Sequence, residues 1–224
     1  MSEPEALAVS DRSRLRRKRQ RGSYDRRVVD AILDEGLVCH VGFVDHGTPF
    51  VLPTAYARVG DVVYLHGAPG NHMLSTLAAG CPACLTVTLL DALVLSRAAM
   101  HHSMNYRSVV LFGSTTPVLD PEEKRVAVTA VVEHVVPGRG LDARAPTPQE
   151  LRATAVVSFP IVEGSAKVRT GGPVEEPADL SLPVWAGEVP LRLVAGTPVP
   201  DADVPAGLAE PDYLRSRLDR LAAG

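Results

Sequence analysis

Apolar and polar residues alternate in short runs along most of the chain, and a few longer stretches keep a helical period. Tyr24–Glu35 places Val28, Val29, Ile32 and Leu33 on one helical face, with Ser23 or Asp25 as cap and Gly36 as stop. Leu37–Val44 reads as a buried strand, Asp45-His46-Gly47 as a hairpin turn and Pro49–Arg58 as the return strand. Gly60-Asp61 then turns into Val62–His66. Turns this short predict a meander of antiparallel neighbours. Met73–Ala79 suits one short helix closed by Gly80. Cys84–Ser96 is a long strand or a hairpin around Leu90-Asp91, and Tyr106–Val118 returns as a second long strand. Asp120 caps a helix opened by Pro121 and running to about Val135, and Thr147–Arg152 suits a short helix. Ala153–Glu163 is a further strand, with Pro160 marking an edge or bulge. Ser165–Arg169, a proline- and acid-rich loop and Val184–Val194 follow, and Leu208–Leu221 predicts a terminal helix packed on a subunit face. Six or more antiparallel strands with few helices favour a closed or partly closed barrel over a sandwich.

Composition agrees. With 19 prolines and 18 glycines the chain is rich in turns, and 46% hydrophobic against 22% charged residues is globular. Charge changes the picture more. Nine of the 23 basic residues but four of the 26 acids precede position 28, so the rest of the chain carries a net −8. Residues 1–22 therefore read as a flexible basic arm, 23–197 as the folded domain, and 198–224 as a linker and helix. Such an arm suits nucleic acid or an acidic membrane surface, a subunit boundary, or the phosphate of a cofactor. No recognition helix or aromatic platform accompanies it, so nucleic acid is not expected. Cys81-Pro82-Ala83-Cys84 lacks the second pair of a zinc ribbon and opens an apolar strand, so a structural role is expected and no bound metal ion. Without a secretory signal or a membrane-spanning run, a cytoplasmic protein with no membrane contact is expected.

Two polar knots carry the candidate chemistry. One is Met100–Gly113, whose histidine pair His101-His102, Asn105, Tyr106, Arg107 and Ser108 run into an apolar alternation. The other is His66-Gly67-Ala68-Pro69-Gly70-Asn71-His72, at the end of a strand and the start of a helix. We expect the two to face one another across a cofactor. Backbone N–H groups at Gly70-Asn71 offer a weak anion site. Arg107 matches phosphate oxygens in bidentate fashion, and an ion pair with Asp or Glu is its structural alternative. Lys167 and Arg169 alternate along an extended segment and so share a face, either as ligand contacts or as a solvated edge. Trp185, the only tryptophan, suits an aromatic cofactor or core packing. His40 and His46 are read as strand and turn residues without chemistry.

The ordered segments G-T-P-F-V-L-P-T-A-Y at 47–56, V-Y-L-H-G-A at 63–68, H-H-S-M-N-Y-R-S-V-V-L-F-G at 101–113, E-G-S-A-K-V-R-T-G at 163–171 and V-W-A-G-E-V-P-L at 184–191 carry a resemblance. Together they resemble the pyridoxamine 5′-phosphate oxidase-like superfamily of flavin-binding split barrels, nearest its flavin-nucleotide-binding, nitroimidazole-resistance-protein-like branch. The resemblance implies a mainly β, six-stranded antiparallel split barrel with accessory helices. It also implies a homodimer that holds FMN between its subunits and acts as an oxidoreductase on a small molecule. His66, Gly67, Asn71 and His72 would then hold the flavin and its phosphate, Arg107 and Ser108 would add polar contacts, and Trp185 would approach from the partner. Oxidases of the family usually carry a basic pair where this chain has Asn71-His72, so compensation is expected from Arg107, the helix N-terminus at Gly70-Asn71, or Lys167 and Arg169, without which another ligand replaces FMN, and pyridoxamine 5′-phosphate itself is not the expected substrate. Haem is the rival cofactor, with His66, His72, His101 or His102 as axial ligand, and a non-catalytic flavin carrier or sensor is the rival role. The choice among FMN, haem and another flavin or deazaflavin stays open at this point.

Overall fold

A computed structural model of the chain describes residues 6–205 and 207–223. Its described strands form two antiparallel sheets. The larger contains β1 (Gly22–Ser23), β2 (Val38–Asp45), β3 (Thr48–Ala55), β6 (Pro82–Leu95), β7 (Ser103–Ser114), β10 (Glu163–Arg169) and β11 (Gly187–Pro190). Its order is β1-β10-β7-β6-β2-β3, with β11 paired to the last residues of β6. The smaller contains β4 (Ala57–Val59), β5 (Val62–Gly67), β8 (Thr116–Pro117) and β9 (Ala155–Pro160), in the order β4-β5-β9-β8. Helices α1 (Arg26–Glu35), α2 (His72–Ala78), α3 (Pro121–Val135), α4 (Arg139–Asp142), α5 (Pro148–Arg152) and α6 (Asp212–Ala223) complete the chain. The fold is mainly β, a split barrel with accessory helices; seven and four strands stand where six were expected.

Apolar alternation builds the core between the sheets. Val41, Leu85, Val109 and Leu111 face Val63, Leu65, Val157 and Phe159, all but inaccessible to water. Each such side chain contributes about 1.5–3 kcal/mol by leaving water. Helix α1 closes the barrel with Val29, Ile32 and Leu33 buried. Asp25 caps it by accepting the Arg27 N–H at 2.8 Å, and the Gly36 N–H returns to the Ile32 carbonyl at 3.1 Å.

The expected meander is split between the sheets. Pro49–Arg58 is not one strand: β3 ends at Ala55, and the chain turns a corner at Tyr56 to become β4 of the other sheet. Tyr56 is fully buried and its hydroxyl donates to the Leu33 carbonyl at 2.6 Å. The expected strand over Tyr106–Val118 turns the same way at buried Thr115, which donates to the Leu77 carbonyl at 2.6 Å. Ala153–Glu163 divides likewise, with β9 ending at Pro160 and β10 beginning at Glu163. By contrast Cys84–Ser96 stays within the single strand β6. Asp91 is an extra residue between paired Leu90 and Ala92, a bulge rather than a hairpin turn.

Both ends of the chain are held by contacts to the folded domain. Residues 1–5 of the basic arm lie outside the described residues, but the rest is docked rather than free. Leu7 is buried, its N–H donates to the Tyr24 carbonyl at 2.8 Å, and Arg12 pairs with Glu163 at 2.6 Å while lying over the Phe112 ring. Helix α6 packs on its own chain: Tyr213 sits against Gly138 and donates to Asp142 at 2.7 Å, and Arg217 donates to the Val135 carbonyl.

Tyr56→Phe is expected to strand the Leu33 carbonyl in the core and lower stability by about 1–3 kcal/mol; urea unfolding measures this, and an unchanged midpoint would contradict the corner's role. Arg12 and Ser10 hold the Glu163 carboxyl down at about 2, below its usual 4.5. A depressed carboxyl stabilises the fold above its unfolded value, and the contribution is lost as pH falls through the folded value. Arm docking should therefore weaken between pH 4.5 and about 2. At neutral pH Glu163→Gln should speed tryptic cleavage between Arg12 and Arg21, and equal rates in the two proteins would refute the clamp.

Candidate functional site

The outer face of the larger sheet gathers polar side chains in register. Val109, Leu111 and Ala166 point into the core, so Ser108, Val110 and Lys167 point out. Lys167 of β10 lies opposite Ser108 of β7, which lies opposite Thr88 of β6. One step along the face, Ser165, Val110, Thr86 and His40 form a second row. Ser108 donates only a long 3.4 Å bond to the Lys167 carbonyl, and its oxygen is still free to accept. Lys167 pairs with no carboxylate among the described residues. One cation beside two hydroxyls can bind an anion or the polar edge of a flat ring.

The knot His66–His72 begins on the other sheet. His66, in β5, faces away from the core side of Val63 and Leu65; it is half-buried, and its Nδ1 is buried without a hydrogen-bond partner. Burial lowers its pKa, which favours the neutral imidazole. A side chain on Gly67 would meet Leu74 at 3.0 Å, so glycine lets α2 approach β5. Asn71 caps α2 by accepting the Leu74 N–H at 3.1 Å, which occupies part of the expected anion site. The His72 Nε2 lies 2.9 Å from the Asp45 carboxylate, and its ring stands edge-on to Phe50 at 5.3 Å.

Arg107 is separated from this arrangement. It shares the parity of Val109 and so reaches toward α1, on the face opposite Ser108. There it makes a two-pronged pair with Glu35 and another with Asp91, at 2.8 Å to each. Hydrogen bonds to Glu35 first and Asp91 second raise its pKa further. The cleft of about 470 Å³ beside it also holds Arg27, which pairs with Asp25 at 2.8 Å, so both arginines lining it are already neutralised. Arg169 is likewise committed: it is buried and donates to Asn105 and to the carbonyls of Gly171 and Gly172. Trp185 is 64% exposed, with its ring over Gly187.

His72 of one knot and Arg107 of the other do not meet within one chain. His72 lies at the Asp45 end of β2, whereas Arg107 lies opposite Leu89, six residues along β6 from the Ala83 that pairs with Phe43. Six residues of strand span about 20 Å. His101 closes a short 3-10 turn instead of lying extended, and His102 Nδ1 lies 3.2 Å from the Ala98 carbonyl. The three cysteines are free thiols, and burial raises the Cys39 and Cys81 values, so Cys81 of the C-x-x-C is not an activated thiolate. Thr86 and Thr88 escaped the sequence reading, and His40 was read there as a strand residue without chemistry. Their signal was the strand alternation itself, which puts both threonines of C-L-T-V-T-L-L on the parity of Ser108.

A family model for pyridoxamine 5′-phosphate oxidase matches residues 25–168. Among solved structures the chain is similar to the flavocytochrome Anf3 from Azotobacter vinelandii, at 37% identity over 92% of this chain and 96% of that one, with a TM-score of 0.86. It is also similar to a FAD- and haem-binding protein from Mycobacterium smegmatis, at 35% identity over 88% and 96%, TM-score 0.84. A protein from Bacteroides thetaiotaomicron assigned to 5-nitroimidazole antibiotic resistance shares 25% identity over 66% and 86%, TM-score 0.56. No curated protein sequence matches the chain.

Half-exposed ion pairs contribute about 0.2–1 kcal/mol each. Arg107→Gln removes two and leaves Glu35 and Asp91 facing one another, so urea unfolding should show a loss of about 1 kcal/mol. Because Arg107 points away from Ser108, cofactor content should not change. A stable, cofactor-depleted variant would return Arg107 to the binding site.

Proposed function

The chain belongs to the pyridoxamine 5′-phosphate oxidase family, and from that premise we propose that it binds a flavin nucleotide, FMN in the first instance, between the subunits of a homodimer. The role is that of an oxidoreductase on a small-molecule substrate. One observation carries this reading: the unpaired Lys167 lies in register with Ser108 and Thr88 on an open sheet face. The flavin would supply hydride and electron transfer, and the protein binding, orientation and electrostatics.

Lys167 provides the cation that the Asn71-His72 sequence lacks. Ser108 and Thr88 offer hydroxyls to polar ring atoms. Asn71 and His72 fix the loop after β5, through Leu74 and Asp45, close to the backbone of Gly67. Arg107 drops out of the binding set because two carboxylates already hold it. The homodimer rests on two observations. A single chain keeps Ser108, opposite Thr88, about 17 Å along β6 from the Ala83 that pairs with Phe43 near His72, and the outer faces of β2 and β3 expose Val38, Val44 and Val51. A two-fold contact of these faces buries the valines and carries one protomer's knot toward its partner's sheet face. Exposed Trp185 suits a cover over the partner's site. A cytoplasmic location belongs to the same reading; among the described residues no helix is long and apolar enough to cross a membrane.

A second reading, FAD together with haem, is favoured by His66. Its buried Nδ1 has no hydrogen-bond partner, and the neutral imidazole is the form that ligates iron. His72, which faces Asp45, and His102, which faces a carbonyl, fit less well, whereas His101 shares with His66 a buried Nδ1 without a partner. The names of the two relatives above 30% identity point the same way, one a flavocytochrome and the other binding FAD and haem.

The absorption spectrum of the purified protein, with identification of the extracted cofactor, tests both readings. Bands at roughly 370 and 450 nm support flavin and a strong Soret band supports haem. Lys167→Gln should weaken FMN binding about tenfold while leaving riboflavin, which lacks the phosphate, unchanged. A colourless protein that takes up FMN, FAD and haem not at all would end both readings.

A further inference from the structure

Away from the sheet face, three side chains of different chemistry converge where β6 leaves the sheet. His101 ends the 3-10 turn Ala99–His101, Asp179 ends the 3-10 turn Pro177–Asp179, and Glu175 precedes that turn, in the strap between β10 and β11. One ligand atom from each lies within 4.8 Å of the other two. No hydrogen bond joins them among the described residues, and His101 Nδ1 is buried without a partner. Atoms that share an ion with bonds of about 2.0–2.2 Å are themselves about 3–4.4 Å apart, so a slight contraction would complete a coordination sphere.

The carboxylate of Glu175 is already aimed. Its side chain is 7% exposed, Ser96 donates to one oxygen at 3.0 Å, and the Arg97 N–H and guanidinium donate to the other at 3.0 and 3.2 Å. Each oxygen keeps a further lone pair. These donors orient the carboxylate as outer partners orient a metal ligand. They also hold it ionised, with the Arg97 N–H foremost in lowering its pKa. Two carboxylates against one guanidinium leave the cluster at about −1, a charge that a divalent cation reverses without a large excess.

We propose that His101, Glu175 and Asp179 bind a first-row divalent transition metal ion such as Zn2+ or Mn2+, with water in the remaining positions. The imidazole nitrogen selects against the oxygen-seeking Mg2+ and Ca2+. The site is independent of the flavin reading and uses a histidine that the haem reading does not need. Bound metal would fasten residues 170–186, the strap that carries Trp185 near its end, to the end of the β6–β7 pair.

The test is calorimetric titration of ZnCl2 and MnCl2 into the full-length chain after chelator treatment, with MgCl2 as control. One site is expected in the wild type, weakened at least tenfold in His101→Ala and in Asp179→Asn and retained in His102→Ala. Adding ZnCl2 should also raise the melting temperature and shift the emission of the lone Trp185 in the wild type but not in His101→Ala. Absence of binding, binding unchanged in both His101→Ala and Asp179→Asn, or loss of the site in His102→Ala would overturn the proposal. The first two variants alter partly exposed side chains with no hydrogen bond to lose, so they separate ligation from misfolding better than Glu175→Gln does.

Discussion

The chain passes from one sheet to the other four times, once through α2 and three times at a direct corner, and each of these three corners is closed by a bond to a helix. Tyr56 donates to Leu33 in the last turn of α1, and Thr115 donates to Leu77 in the last turn of α2. At the third corner Arg26, in the first turn of α1, donates to the Ile161 carbonyl at 3.3 Å. Helix ends leave carbonyls without internal partners, and strand corners leave the sheet ladder. Here each supplies what the other lacks. Helix α1 is thereby pinned at both ends to two corners, and the distance between those corners is fixed by the helix.

That arrangement decides which surfaces are available for chemistry. The inner faces are consumed by the apolar core, and the α1 side is filled by the helix and its ion pairs. The outer face of the larger sheet is the one carrying a row of polar side chains not needed for folding. Arg12 and Ser10 bring the docked arm to its β10 edge through Glu163, and β1 sets Gly22 opposite Lys167. The basic segment of the arm therefore ends one strand away from the single unpaired cation of the row.

Much of this was legible in the sequence because the local signals were strong. Asp25, Asp120 and Thr147 cap α1, α3 and α5 as their side chains predict, and His46 and Gly47 take the positive φ angles of a tight hairpin. The corners were not legible. A strand that changes sheets keeps its alternation, so Pro49–Arg58 and Tyr106–Val118 read as continuous, and only long-range bonds reveal Tyr56 and Thr115 as breaks. The same limit applies to Arg107. Its partners Glu35 and Asp91 lie 72 and 16 residues away, and no spacing rule links them. The docked arm escaped for another reason: a run of arginines looks solvated until the Glu163 that receives Arg12 is placed beside it.

The contrast between Arg107 and Ser108 shows how narrow the margin is between a structural and a functional cation. Adjacent strand residues face opposite sides. With Ser108 on the outer face, Arg107 must face α1, where Glu35 at the helix C-terminus and Asp91 at the β6 bulge await it. The bulge itself places Asp91 there, since it is the residue that the ladder leaves unpaired. Lys167, one strand over on β10, has the parity of Ser108 and meets no acid among the described residues. A chain without a basic pair after β5 can thus still present positive charge to a ligand, provided it stands on β10, in register with the hydroxyls of β7 and β6. Sheet parity, rather than proximity in sequence, selects Lys167 over Arg107.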